Sequence, residues 1–153
     1  MPITATRAGR RPRALYAGFV LSAIVTLVPL VDLVTADSVA GHVRRAYPDW
    51  TADLVSADRN AIVGYLTVVG VLGLVGWLWT IWAVTRHKRW APAAVTVMFV
   101  LGVCVALLNL GFSGGAYTNV IPYTYGTLGL LPVIPGLVAV LRVWQRHNQP
   151  DAS

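Results

Sequence analysis

The chain has 153 residues, 56% of them hydrophobic and only 12% charged, with a formal net charge of +6. A soluble domain carries about 25% charged residues. Here the apolar excess lies in long uninterrupted runs, which excludes an ordinary soluble fold and indicates a single membrane domain over residues 1–153.

The basic residues flank those runs as topology signals do, so no soluble surface is left for nucleic acid and no nucleic-acid partner is expected. They are eleven Arg and one Lys, set against six Asp and no Glu. One cysteine, Cys104, lies inside an apolar run. A single thiol rules out an internal disulfide and Cys-x-x-Cys chemistry.

The first apolar run covers residues 14–34. At 1.5 Å per residue it reaches about 31 Å as a helix, enough for one bilayer crossing. Arg7, Arg10, Arg11 and Arg13 precede it, and Val34-Thr35-Ala36 would pass as a cleavage site. The run exceeds the usual core of a signal peptide, about 7–15 residues, so an uncleaved helix is expected.

A first outer loop follows, residues 37–60, with a short helix expected over 39–47 and a break at Pro48-Asp49. Asp49 or Thr51 is placed to cap the next helix, and Asp53 falls in its favourable first turn. Leu54, Val55, Ile62, Tyr65 and Leu66 keep helical spacing, so the second span, residues 61–85, should begin two or three turns before it enters the membrane. The third span is residues 93–110, with Pro92 where a first turn tolerates it. The second outer loop, residues 111–125, is rich in Gly, Ser and Tyr and reads as irregular. The fourth span is residues 126–144. Pro132 and Pro135 remove backbone donors there, and a bend is expected rather than a break. The fold class is therefore all-α, an integral membrane four-helix bundle with a partly helical outer loop between helices 1 and 2.

Nine of the twelve Arg and Lys lie at the N-terminus, between spans two and three, and at the C-terminus. Only Arg44, Arg45 and Arg59 fall in the two other loops. The positive-inside rule then puts both ends in the cytoplasm of a multi-pass cell-membrane protein.

Helices in lipid associate through close packing of small residues. The expected packing positions are Gly18 and Ser22 in the first span, Gly70, Gly73 and Gly76 in the second, Gly102 and Ala106 in the third, and Gly129 in the fourth. Val71, Val75 and Trp82 lie opposite the second ridge and should face lipid. A side chain as large as Leu at Gly73 should then disrupt folding. Shifted by 56 residues, Gly70, Leu72, Gly73, Leu74, Ala83, Val84 and Arg86 match Gly126, Leu128, Gly129, Leu130, Ala139, Val140 and Arg142, which hints at a duplicated hairpin.

Catalytic chemistry is not evident. The spans are almost bare of ionisable groups, which membrane enzymes and transporters use. Asp32 lies within three residues of the first span's outer end, where it can also serve as a cap. A candidate ligand site is a polar vestibule with Asp32 at its floor, His42, Asp49 and Asp53 above it, and Tyr123 and Tyr125 on its wall. Carboxylates and aromatic faces together suit a cation. The competing reading has these Asp solvated beside Arg44, Arg45 and Arg59. No metal-ligand spacing is present, and His87 and His147 are not placed to hold a haem, so no metal or cofactor is expected.

The Trp-rich second span and the Gly/Pro-rich fourth resemble small four-span membrane proteins of actinobacterial type, a resemblance that implies the four-span fold and no activity. Two classes of function remain. One is a non-enzymatic accessory or scaffold protein acting through helix contacts. The other is a small transporter or binding protein with a polar site at the outer helix ends. The surroundings are the lipid bilayer, and the partner classes are another membrane protein or a second copy of the chain.

Overall fold

The computed structural model describes residues 13–148, so Arg7, Arg10 and Arg11 lie outside the described residues. It is all-helical, with α1 over Arg13–Val34, α2 over Ser38–Ala46, α3 over Ala52–Thr85, α4 over Ala91–Gly111, α5 over Tyr123–Leu128 and α6 over Val133–His147. Helices α1, α3, α4 and the α5–α6 pair are each long and apolar enough to cross a membrane. Most of their surface is exposed, including Val71, Val75 and Trp82, as lipid-facing helices require. The chain is a multi-pass membrane protein.

Helix α3 runs unbroken for 34 residues, about 51 Å, and so projects well beyond a ~30 Å hydrocarbon core. Thr51 is its N-cap residue, although its side chain makes no capping bond. The projecting turns form one wall of a cap in which α2 lies across the ends of α1 and α3. Val39, Ala40 and Val43 on α2 pack with Val55, Ile62 and Val63 on α3 and with Ile121 and Tyr125. This apolar cluster fills the end of the bundle. A second cluster, Leu15, Ile81, Val95 and Ala139, ties the four spanning helices together at the opposite, basic end.

The fourth span breaks where a bend was expected. α5 stops at Leu128 and α6 starts at Val133. Pro132 cannot donate to the preceding turn, and the chain crosses the gap by tight turns instead. Leu130 N–H donates to Thr127 O at 3.0 Å, Leu131 to Leu128 O at 3.1 Å and Val133 to Leu130 O at 3.0 Å. These short-range bonds satisfy the backbone inside the membrane. Gly126 and Gly129 thus sit in a short helix and a turn, while Gly70 and Gly73 sit in the middle of α3; the matched Ala83 and Val84 in α3 and Ala139 and Val140 in α6 are helical alike.

Candidate functional site: an apolar cavity within the bundle

The polar residues of the capped end are largely committed to one another. Asp32 Oδ2 accepts the Ser38 backbone N–H and the Ser38 hydroxyl, both at 2.9 Å, and so holds the start of α2 onto the end of α1. The Ser38 hydroxyl also lies 3.2 Å from the Tyr125 hydroxyl. Asp37, in a left-handed conformation with φ 45°, pairs with Arg59 at 2.9 Å. His42 Nε2 lies 3.0 Å from Asn119 O and its ring stacks on Tyr117. Tyr117 donates to Asp58, and burial, followed by that hydrogen bond, pushes its phenol pKa up. Tyr47 stacks on Trp50 and accepts the Ala116 N–H at 2.9 Å.

The six vestibule residues are therefore not brought to one place. Asp32 and Tyr125 are joined through Ser38, and His42 faces the loop. Asp49, Asp53 and Tyr123 are exposed. The space foreseen between the helix ends is occupied by the apolar cluster on α2 and α3. Among the described residues, no three of His, Cys, Asp and Glu gather at one point.

The open space lies deeper. Between the two packed ends is a cavity of about 410 Å³ walled by α1, α3, α4 and the broken fourth span. Its floor, at the basic end, is made by Leu15, Trp77 and Val95. Asn109 and Tyr125 bound its other end. The break in the fourth span, Gly129 to Val133, forms part of its wall. Pro29 on α1 lines it too, and lacks the amide proton that would bond the Val25 carbonyl one turn earlier.

The lining is almost wholly apolar, and its threonines spend their hydroxyls on their own helices. Thr26 donates to Ser22 O at 2.7 Å, and Thr80 lies 2.9 Å from Trp77 O. No charged side chain lines the cavity. Asn109, 7% exposed, is its most polar buried residue. Tyr65 donates to Asn109 Oδ1 at 2.9 Å, and Asn119 donates to the Asn109 carbonyl at 3.0 Å.

The small residues divide into two groups around this space. Gly18 lies under the indole of Trp77, Gly70 under Thr26 and Gly76 under the end of Met98, so each permits a close approach between helices. Ala106 is buried, and Ser22 lines the cavity beside Thr26. Gly73 and Gly102 depart from the expectation. A Cβ at either meets nothing within 4 Å, because both face the cavity rather than a neighbouring backbone. The disruption expected of Leu at Gly73 is corrected accordingly, since the side chain has room. At Gly129 a Cβ would stand 3.3 Å from the Gly126 carbonyl oxygen, so this glycine faces its own turn rather than a neighbouring helix.

These two glycines mark a window. Helices α3 and α4 are joined at one end by the Tyr65–Asn109 hydrogen bond and at the other by the contact of Gly76 with Met98. Asn109 and Met98 are eleven residues apart on one helix, a separation of about 16 Å. Between them Leu72 and Leu101 line the cavity and are also 63% and 52% exposed on the outer surface. Leu72 and Leu101 thus border both the cavity and the outer surface between α3 and α4, near the middle of the two apolar helices.

Asn109 is the one side-chain amide within the four spans, whereas nothing in the sequence sets Trp77 or Phe99 apart from the other apolar residues of theirs. Phe99 and Trp77 both pack over Gly136, at 3.0 and 3.8 Å from where its Cβ would stand. Compared with protein-family models, with curated proteins and with solved structures, the chain matches none.

Proposed function

We propose that this protein is a non-enzymatic binding protein of the cell membrane that takes an apolar molecule from the bilayer into the cavity between its helices. The observation that carries this reading is the lateral window at Gly73 and Gly102, which joins an apolar cavity to the lipid-facing surface. Ligand sites of about 300–1,000 Å³ with apolar walls and few polar groups are the usual form of a small-molecule site, and the cavity lies within that range. Of the two function classes left open by the sequence, helix contacts alone give no reason for the bundle to be held apart at its middle. A bound chain replaces the packing lost there. The basic end, with Arg86, Lys88 and Arg89, faces the cytoplasm by the positive-inside rule, and α2 lies outside.

The reading is tested with a long-chain alkyl diazirine, photolysed with the purified protein in nanodiscs. Labelling is expected on inward residues such as Phe99 as well as on lipid-facing Val75. Gly73→Phe, which fills the cavity, should remove the first and keep the second. Absence of label on the inward residues of the native protein would overturn the reading. For the orientation, single cysteines at positions 88 and 51, in a Cys104→Ala background, should label from the inside and the outside of cells respectively.

A further inference from the structure

We infer that the cavity selects an uncharged long-chain molecule bearing one hydrogen-bond acceptor at its end, such as an ester or ketone, and reads that acceptor with the side-chain amide of Asn109. The inference rests on the cavity-binding reading and adds the chemistry of the ligand.

Asn109 is more than nine-tenths buried and lines the cavity. Its amide has two ends. Oδ1 accepts the Tyr65 hydroxyl at 2.9 Å. Nδ2 has no hydrogen-bond partner among the described residues, although the residue's backbone carbonyl is engaged by Asn119. The orientation of the amide follows from Tyr65. With Oδ1 toward Tyr65 the phenol proton is used, whereas the reverse placement leaves it without an acceptor. The amide N–H₂ is therefore the group turned to a ligand, and N–H₂ is a donor only.

The rest of the lining fixes what accompanies that acceptor. No charged residue lines the cavity, so an ionic headgroup would enter without a counter-charge, at a cost that neutral groups do not meet. The threonine hydroxyls are bonded to their own helices, which leaves the half-buried Ser22 on α1 as the other polar side chain of the wall, away from the Asn109 end. A plain hydrocarbon fits the walls but leaves the Asn109 amide without a partner, and an unmade buried hydrogen bond is penalised. One acceptor on an apolar chain satisfies all three conditions.

Depth agrees with this assignment. Asn109 lies two residues before the end of α4, at the capped end, whereas the cavity floor at Val95 is fourteen residues further along the helix, about 21 Å away. A chain entering through the α3–α4 window would place its polar end near the membrane interface and its tail toward Trp77.

Three probes of equal chain length separate the possibilities: an alkane, a methyl ester and an alkyl trimethylammonium. Each is used to displace the alkyl diazirine from the native protein in nanodiscs, scored at Phe99. The methyl ester is expected to compete about tenfold better than the alkane. The cation is expected not to compete. Asn109→Leu should abolish the difference between ester and alkane, because the ester loses its donor and the alkane no longer leaves an amide unpaired. Equal competition by ester and alkane in the native protein would overturn the inference, and that comparison needs no variant to fold. Competition by the cation as strong as by the ester would also overturn it. Failure of the diazirine to label Phe99 at all would instead remove the cavity-binding reading on which the inference stands.

Discussion

Trp77 on α3 lays its indole ring over the α carbon of Gly18 on α1, so closely that any side chain at position 18 would run into the ring. The same ring reaches Gly136 on α6 and closes the floor of the cavity. One aromatic side chain thus spaces three spanning helices at the basic end.

Gly18→Ala should therefore be destabilising. Overpacking costs about 1–3 kcal/mol, and the gain from replacing a helical glycine offsets up to about 1 kcal/mol of it. Trp77→Leu in the same chain should remove most of the penalty, because the ring is what the new methyl group strikes. Gly73→Ala is the control. Its Cβ meets open space, so it should be neutral or slightly stabilising. Thermal unfolding of the variants in detergent gives the comparison, and equal melting temperatures for Gly18→Ala and Gly73→Ala would refute it.

Asn119 holds the second loop to the bundle. Its buried amide donates to Asn109 O at 3.0 Å and to Ile121 O at 2.6 Å. Asn119→Leu leaves both carbonyls without that donor and should destabilise by about 2–6 kcal/mol, from about 1–3 kcal/mol for each orphaned group. Asn119→Asp should be no better, since a carboxylate cannot donate to either carbonyl. Denaturant-induced unfolding in mixed micelles measures both. A near-native stability for the Asp variant would contradict the assigned donor role.

The Tyr117 phenol gives a pH dependence of known sign. Burial first, and then the Asp58 hydrogen bond and charge, raise its pKa above the ordinary value of 10.0. The stability this contributes is fully present below about pH 10 and declines above it, because the unfolded chain then loses a proton that the folded chain keeps. The melting temperature should fall between pH 9 and pH 11, and less steeply in Tyr117→Phe. Identical slopes in the two proteins would exclude Tyr117 as a source.

The four spans and the short helix in the first loop were legible because apolar runs of about twenty residues, bounded by Arg and Pro, leave the backbone few alternatives in lipid. The outward extension of α3 was legible from the helical spacing of Leu54 to Leu66. Less could be read at finer scale. Pro132 signalled a disturbance, but whether it bends or breaks a span depends on the Gly129 turn finding its own hydrogen bonds. Gly70 and Gly73 look alike in sequence. Only the crossing of α1, α3 and α4 decides that one touches Thr26 and the other borders a window. The acidic loop drew attention because charge is conspicuous in a sequence of this kind. The cavity is made of Gly, Leu, Val and Phe from four separate helices, and no local pattern announces such a space.

The proposed function requires the cavity to hold an apolar molecule drawn from the bilayer. Native mass spectrometry of the protein released from membrane nanodiscs tests it most directly, with Gly73→Phe and Val75→Phe alongside. The native protein and Val75→Phe, whose new ring faces lipid, are expected to carry a bound neutral molecule that survives release. Gly73→Phe should fold and carry none. An adduct absent from the native protein, or retained equally by all three, would contradict the account.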